Sequence, residues 1–338
     1  MFEALKRAMK IPTLRKRILF TAMMLVVFRI GASIPTAGMD TSLIKNQLSQ
    51  SNVLSLYDMM SGGALSQFTL FALGVTPYIT SSIIMQLLAV AIPTLEEMQK
   101  SGEDGRKKIS EYTRYLSVAL ALLQSFALVY GMFRGALLSQ DILSVFTIVI
   151  TLTAGTTFLM WLGEIVTEKG IGNGVSMIIY AGIISRYPIS VKQTLELSKT
   201  GAINPIQIMV FLVVSIAIII GVIMVLEGVR KIPVQYAKRV VGKNTYGGQS
   251  SHIPLKVNQA GVIPVIFAVS LLQFPLTITY FLKSDSGFTA FVTKWLSPSG
   301  SPGVWVYAIF NIILIIAFNY FYTTISFNPI EVAQNMKS

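Results

Sequence analysis

Apolar residues fall along the chain in long runs, separated by short stretches rich in charge, Gly and Pro. A membrane-crossing helix needs about 20 mostly apolar residues. Runs of that kind lie near 18–35, 68–92, 115–134, 142–163, 173–187, 204–227, 260–282 and 303–327. They predict an all-α polytopic membrane protein with eight transmembrane helices. The fifth run is short and is expected to end at Pro188. The polar stretch 188–203 then becomes an external joint between two halves. The basic lead into the first run resembles a cleavable leader, but that run exceeds the roughly 7–15 residues of a signal core. It is read as a retained first helix.

Charge supports the helix count. Segments before helix 1, between 2 and 3, between 4 and 5, between 6 and 7, and after 8 hold nineteen Lys and Arg. The alternate segments hold seven. Cytoplasmic loops carry the excess of Lys and Arg, so both ends of the chain are expected in the cytoplasm. Composition agrees with a membrane protein: only 12% of residues are charged, against about 25% in soluble domains. The net charge of +12 therefore reflects topology, not specific DNA binding. Two expected cytoplasmic loops are long, basic and turn-rich, at 96–114 and 230–256. The second also alternates in a strand-like way. Both are candidate docking surfaces for a cytosolic partner.

Chemistry is mostly excluded. There is no Cys and one His, His252, so neither a thiolate nor a His-based metal site is expected. Gly242-Lys243 resembles the end of a phosphate-binding loop, but Ala237 and Asn244 occupy positions that need Gly and Ser or Thr. Gly170-Ile-Gly-Asn-Gly174 reads as a tight turn feeding helix 5. Coupled carriers place ionisable residues at membrane depth. Here Arg29 is the one charge well inside an expected span. It is assigned a structural role, snorkelling or meeting a carbonyl near the outer side. Several spans instead combine breakers, hydroxyls and β-branched residues. Helix 2 carries Val75 and Ile79 on one face, with Thr76, Thr80 and Ser81, and Pro77 invites a kink. Helix 5 offers Ile178 and Ile179, and helix 7 carries Ile263 and Ile266 around Pro264.

One stretch fits neither span nor ordinary loop. Residues 59–68 read MMSGGALSQF, too breakable for a spanning helix and too apolar for an exposed turn. Irregular backbone at membrane depth is tolerated where it faces protein or a water-filled cavity, so a re-entrant segment is allowed here.

The motifs FRIGASIP, SGGALSQFTLFALG, PYITSSIIMQLL, GRKKISEYTRY, FLMWLGE, TEKGIGNGVSMIIYAGI, QYAKR, IPLKVNQAGVIPVIFA and FNPIEVAQNMK run in order along the chain. Together they resemble the bacterial SecY family, the central channel subunits of the Sec protein translocase. The resemblance implies ten helices in two pseudo-symmetric halves, here 1–190 and an incomplete 191–338. It implies a passive channel, not an enzyme and without cofactor. Such a channel passes unfolded secretory polypeptides across the bacterial plasma membrane and releases membrane helices sideways to lipid. The implied pore ring is Val75, Ile79, Ile179 and Ile266. The implied plug is a short re-entrant helix near 53–67, covering Leu56, Tyr57, Asp58, Met59, Met60, Ser61, Gly62, Gly63, Ala64 and Leu65. Implied docking residues are Arg106, Lys107, Lys108, Arg230, Lys231, Lys238, Arg239 and Lys243. Implied partners are SecE, SecG, the SecA ATPase, the ribosome, signal sequences and translocating polypeptides, and membrane lipid. The family's helices 9 and 10 would follow Ser338, so the expectation is a truncated chain missing one wall of the pore. Two rival readings are a secondary transporter with broken helices and a membrane scaffold or insertase without a pore.

Overall fold

The computed structural model describes residues 9–49, 58, 61–201, 203–234, 239–241, 244–246, 251–279, 286–296 and 302–326. Two compact units partition the chain. One is Met1–Val191 with Phe267–Ile312, and the other is Lys192–Ile266 with Ile313–Ser338.

The first unit opens with α1, Pro12–Gly31, whose proline sits in the first turn, where no N–H is needed. A second helix, α2 (Thr41–Ser49), was not expected. Asp40 caps it, accepting the Ser42 backbone N–H at 2.9 Å and the Ser42 hydroxyl. These bonds, the hydroxyl's first, hold the Asp40 carboxyl below its ordinary value. A depressed carboxyl supports the cap above its unfolded pKa, and that support fades as pH falls through the folded value.

Helix 2 begins later than its apolar run suggests. Residues 61–75 form successive turns, and α3 spans Thr76–Ala91. Gly62, Gly63 and Gly74 all have positive φ, which breaks any helix there. Pro77 consequently lies in the first turn of α3, where it starts the helix instead of kinking it. The sharp bend comes at the other end: α3 meets α4 (Pro93–Lys100) at 103°. Then follow α5 (Glu103–Phe126), a π turn at Ala127–Met132, α6 (Ile142–Lys169) and α7 (Gly174–Lys199). Asn173 accepts the Ser176 N–H at 3.1 Å and so starts α7 as the glycine-rich turn predicts. That helix does not stop at Pro188 but continues eleven residues beyond it, so 188–199 is helix, and the boundary between the two units falls within it.

Close packing in this unit depends on small residues. Phe71 stacks between Phe28 and Phe158, each at 6.1 Å. A Cβ on Gly155 would lie 2.0 Å from the Leu70 carbonyl oxygen, and one on Gly31 would lie 2.2 Å from the Phe71 ring. A Cβ on Gly174 would lie 2.0 Å from the Gly163 carbonyl oxygen, which brings α6 and α7 into backbone contact. Hydroxyls inside the helices bond back to their own turns. Ser125 donates to the Ala121 carbonyl and Thr153 to the Val149 carbonyl, and the two hydroxyls meet at 3.2 Å. Beneath the turn segment lies an apolar cluster including Met39, Leu65, Phe68, Val129, Phe133 and Leu152. Phe68 takes a positive φ of 45 and sets its ring edge-on to Phe133 at 5.8 Å. The unit also includes most of α9 (Ile263–Thr279), α10 (Gly287–Trp295) and the start of α11 (Gly303–Ser326).

The second unit contains α8, Pro205–Glu227, opened by a reciprocal cap. Asn204 accepts the Ile206 N–H, and Gln207 accepts the Asn204 N–H. No residue of α8 is buried. The strand-like alternation of the second basic loop is real: β1 (Val229–Val234) pairs antiparallel with β4 (Ser251–Lys256). A smaller pair, β2 (Arg239–Val241) and β3 (Asn244–Tyr246), lies between them in sequence.

Each of the eight apolar runs contains a helix, but fewer meet a length-and-hydropathy test for crossing a membrane. Among the described residues five helices do, or six if α3 and α4 form one broken span. The others fall short for visible reasons: α1 carries four cations in its 20 residues, and α9 has only 17 residues.

Replacing Gly155 by Val should force α6 off Leu70 and lower the thermal midpoint in detergent. Overpacking typically costs about 1–3 kcal/mol. Gly135→Ala, with nothing within 4 Å of the added carbon, should leave that midpoint unchanged.

Candidate functional site

The turn segment after the glycine pair is held in a seat built by α1 and α7. Two φ-positive glycines let its backbone approach α7 where no side chain fits. A Cβ on Gly62 would lie 2.8 Å from the Gly182 Cα, and one on Gly63 would lie 2.5 Å from the Arg186 guanidinium. Glycine therefore faces glycine, and an arginine closes over the second one.

Charge fastens the same contact. Asp58 is 6% exposed, and its carboxylate pairs with the Arg186 guanidinium. Asp58 also accepts the Ser66 backbone N–H at 2.6 Å, while Arg186 donates to the Ser66 hydroxyl at 2.9 Å. From α1, Arg29 donates to the Gly62 carbonyl at 3.3 Å and to the Ser185 hydroxyl at 2.9 Å. A charge expected to meet a carbonyl does so, and that carbonyl belongs to the glycine pair. Inside the turn, Ser61 donates to the Asp58 carbonyl at 3.0 Å, and the Gly63 N–H reaches the same carbonyl at 2.8 Å. Ala64 and Leu65 are wholly buried. The carboxylate is thus nearly dry but has two donors, the Arg186 guanidinium and the Ser66 N–H, which is the condition for holding a buried charge.

Of the expected plug residues, Leu56, Tyr57, Met59 and Met60 lie outside the described residues. Asp58 is helical and Ser61 through Leu65 form turns; the other residues where the short helix is expected up to Met60 lie outside the described residues. Val75 caps the start of α3 and Ile79 lies one turn on; both are buried. The seat reaches this point, because a Cβ on Gly74 would lie 3.8 Å from the Ser61 Cβ. On α7 it is Ile178 that is buried, its Cδ1 turned to Gly163 of α6, while Ile179 is half-buried on a different face. Ile266, half-buried in the first turn of α9, belongs to the second unit.

The expected docking residues divide between the units. Arg106, Lys107 and Lys108 are exposed in the first two turns of α5, and Lys107 lies 4.0 Å from Asp104. Arg230 and Lys231 are exposed on β1. Lys238 and Lys243 lie outside the described residues, as does the side chain of Arg239.

Neither the apolar pattern nor the alternation of cations assigns Asp58 or Arg186 a partner. A signal existed: Asp58 is the one acidic residue between Asp40 and Glu96. An isolated acid in an apolar, glycine-rich stretch demands a cation.

Long apolar helices, glycine-lined backbone contacts and an irregular segment seated among them define a polytopic α-helical membrane protein. The SecY family model matches residues 69–338. The chain is 46% identical over 353 residues to the protein translocase subunit SecY of Streptomyces scabiei, covering 100% of this chain and 80% of that one. It therefore belongs to the SecY family of protein translocation channels. In fold it is similar to the channel of a canine ribosome–channel complex from the endoplasmic reticulum. That match has a TM-score of 0.68 at 22% identity, covering 95% of this chain and 75% of that one. It is also similar to a structure described as showing that the plug domain of SecY stabilises the closed state of the channel. There the TM-score is 0.59 at 22% identity, covering 79% of this chain and 59% of that one.

Cysteines introduced at Ser61 and Gly74 should form a disulfide on mild oxidation, because the Cβ separation suits one. The chain has no other thiol to compete. A mass shift on alkylation after reduction, and none before, is the expected reading; free thiols throughout would refute the placement.

Proposed function

We propose that the segment around Asp58–Leu65 is the plug of a protein-conducting channel, and that its seat on α7 is the closed state. The carrying observation is the Gly62–Gly182 contact locked by Asp58, Arg186 and Arg29. A pore must close without a bulky fixed stopper, because the stopper has to leave. Small residues let the segment nest against a backbone, and a few charge-assisted bonds hold it there.

In this reading eight helices cross the bacterial plasma membrane from a cytoplasmic N-terminus, as the alternating cations favour. The chain divides into an N-terminal half, 1–190, and a C-terminal half, 191–338. Val75, Ile79, Ile179 and Ile266 form its waist. Aliphatic side chains suit that role because a translocating polypeptide presents every kind of side chain. An apolar constriction dewets when empty and moulds around a chain when filled. Leu56, Tyr57, Met59 and Met60 complete the plug. The channel is passive, with energy from SecA or the ribosome, and it passes secretory polypeptides and releases membrane helices to lipid. SecE and SecG complete the assembly. Cationic Arg106, Lys107 and Lys108 with Arg230, Lys231, Lys238, Arg239 and Lys243 dock the cytosolic partner, since the sequence holds no nucleotide site of its own.

Arg186→Gln strands a buried carboxylate, a change that costs about 3–5 kcal/mol where a pair is fully buried. The partial exposure of Arg186 reduces this. The expected outcome is an ion conductance in planar bilayers raised at least tenfold; conductance equal to the parent would refute the plug assignment. Charge reversal at Lys107 and Arg230 together should weaken motor-driven transport in reconstituted vesicles at limiting motor and leave membrane insertion intact. Unaltered transport would remove these residues from the docking surface.

A further inference from the structure

Between α9 and α11 lies α10, Gly287–Trp295, a helix that no expected span or docking loop accounts for. Its start is fixed by Ser286, whose hydroxyl accepts the Thr289 N–H at 3.2 Å. Its apolar residues fall at Phe288, Phe291, Val292 and Trp295, the i, i+3, i+4, i+7 pattern of one helix face. Val292 alone is buried. Phe288, Phe291 and Trp295 stand exposed beside it, with Phe291 57% exposed. Thr293 and Lys294 lie on the other side, and the Lys294 ammonium sits 5.7 Å from the Trp295 ring centroid.

A stripe of three large aromatics facing outward on a nine-residue helix is unfavourable in water. Its place in the chain identifies what covers it. Seven residues on, α11 begins at Gly303, and its 24 residues give it about 36 Å, enough to cross a bilayer core. Trp305, in the first turn of α11, is 75% exposed. Tryptophan and aromatic side chains with a polar rim concentrate at the boundary between headgroups and acyl chains. An amphipathic helix with Phe and Trp on one face and Lys on the other lies in that boundary.

We propose that α10 is an interfacial anchor whose Phe288, Phe291 and Trp295 stripe beds into the membrane at the headgroup–acyl boundary. The inference rests on α11 crossing the membrane. Its partner is the lipid surface itself, and Lys294 turns towards the phosphate layer. The helix thereby fixes the level at which α9 leaves the bilayer and α11 enters it.

Tryptophan fluorescence tests this directly, because the chain has only Trp161, Trp295 and Trp305. The full chain carrying Trp161→Phe and Trp305→Phe reports Trp295 alone, and that carrying Trp161→Phe and Trp295→Phe reports Trp305 alone. Each is reconstituted in phosphatidylcholine vesicles brominated either near the headgroup or near the middle of the acyl chain. The expected result is that Trp295 is quenched by the shallow bromines at least twice as strongly as by the deep ones. Adding Phe288→Ser and Phe291→Ser should cut that quenching at least by half. Quenching by aqueous iodide alone overturns the proposal, and so does shielding from both lipid and iodide, which would mean protein covers the stripe. Unchanged lipid quenching in the serine variant also overturns it. Failure of lipid to quench Trp305 would instead remove the spanning reading of α11.

Discussion

One turn glycine pressed against a glycine of α7, with its neighbour under an arginine, sets the terms for the rest of the first unit. Gly62 can reach Gly182 only because neither has a side chain, and Gly63 can lie under Arg186 for the same reason. Once the backbones are that close, Asp58 falls beside Arg186 and the Gly62 carbonyl falls beside Arg29. Contact and charge are therefore not separate devices. The small residues create the approach, and the approach brings the ionic groups within reach in a nearly dry site where they interact strongly.

In the proposed reading the same contact also lets a closed channel open. In that reading Ser61–Leu65 of the plug is turn, so leaving its seat breaks few backbone bonds there. Among its described residues the apolar weight lies in Leu65, which belongs to a cluster with Phe68, Phe133 and Leu152 beyond the segment. The part nearest the waist, Ser61 to Gly63, contributes almost no hydrophobic area. Holding therefore combines the burial of Leu65 with a few charge-assisted bonds. Such bonds weaken when water enters, as it must when a hydrated polypeptide approaches. In the same reading an apolar waist at Val75 and Ile79 makes no such bonds and stays indifferent to what passes.

Much of the architecture was legible from apolar period and cation alternation. Every long apolar run contains a helix, and the basic loop with alternating character contains a ribbon of strands. What escaped was local. Helix 2 looked eight residues longer because 68–75 is apolar, and hydropathy does not register the φ of Gly74. Pro188 looked like a stop, although a proline within a helix removes one bond and need not end it. The extra helices α2 and α10 are too short to announce themselves as spans. At the site, the aliphatic positions and the glycine pair were visible. The Asp58–Arg186 pair was not, because it joins residues 128 apart in sequence. Long-range charge pairs leave no period, and only the oddity of a lone acid pointed to one.

The central claim is that Asp58 and Arg186 act as one latch on the closed channel. A double-mutant cycle on ion conductance, using Asp58→Asn, Arg186→Gln and both together in the reconstituted channel, tests it most directly. If the two residues hold the plug through each other, the double variant leaks no more than the leakier single one, with a coupling of at least about 1 kcal/mol. If the two leaks simply multiply, the residues act independently and the seat described here is not what keeps the channel shut.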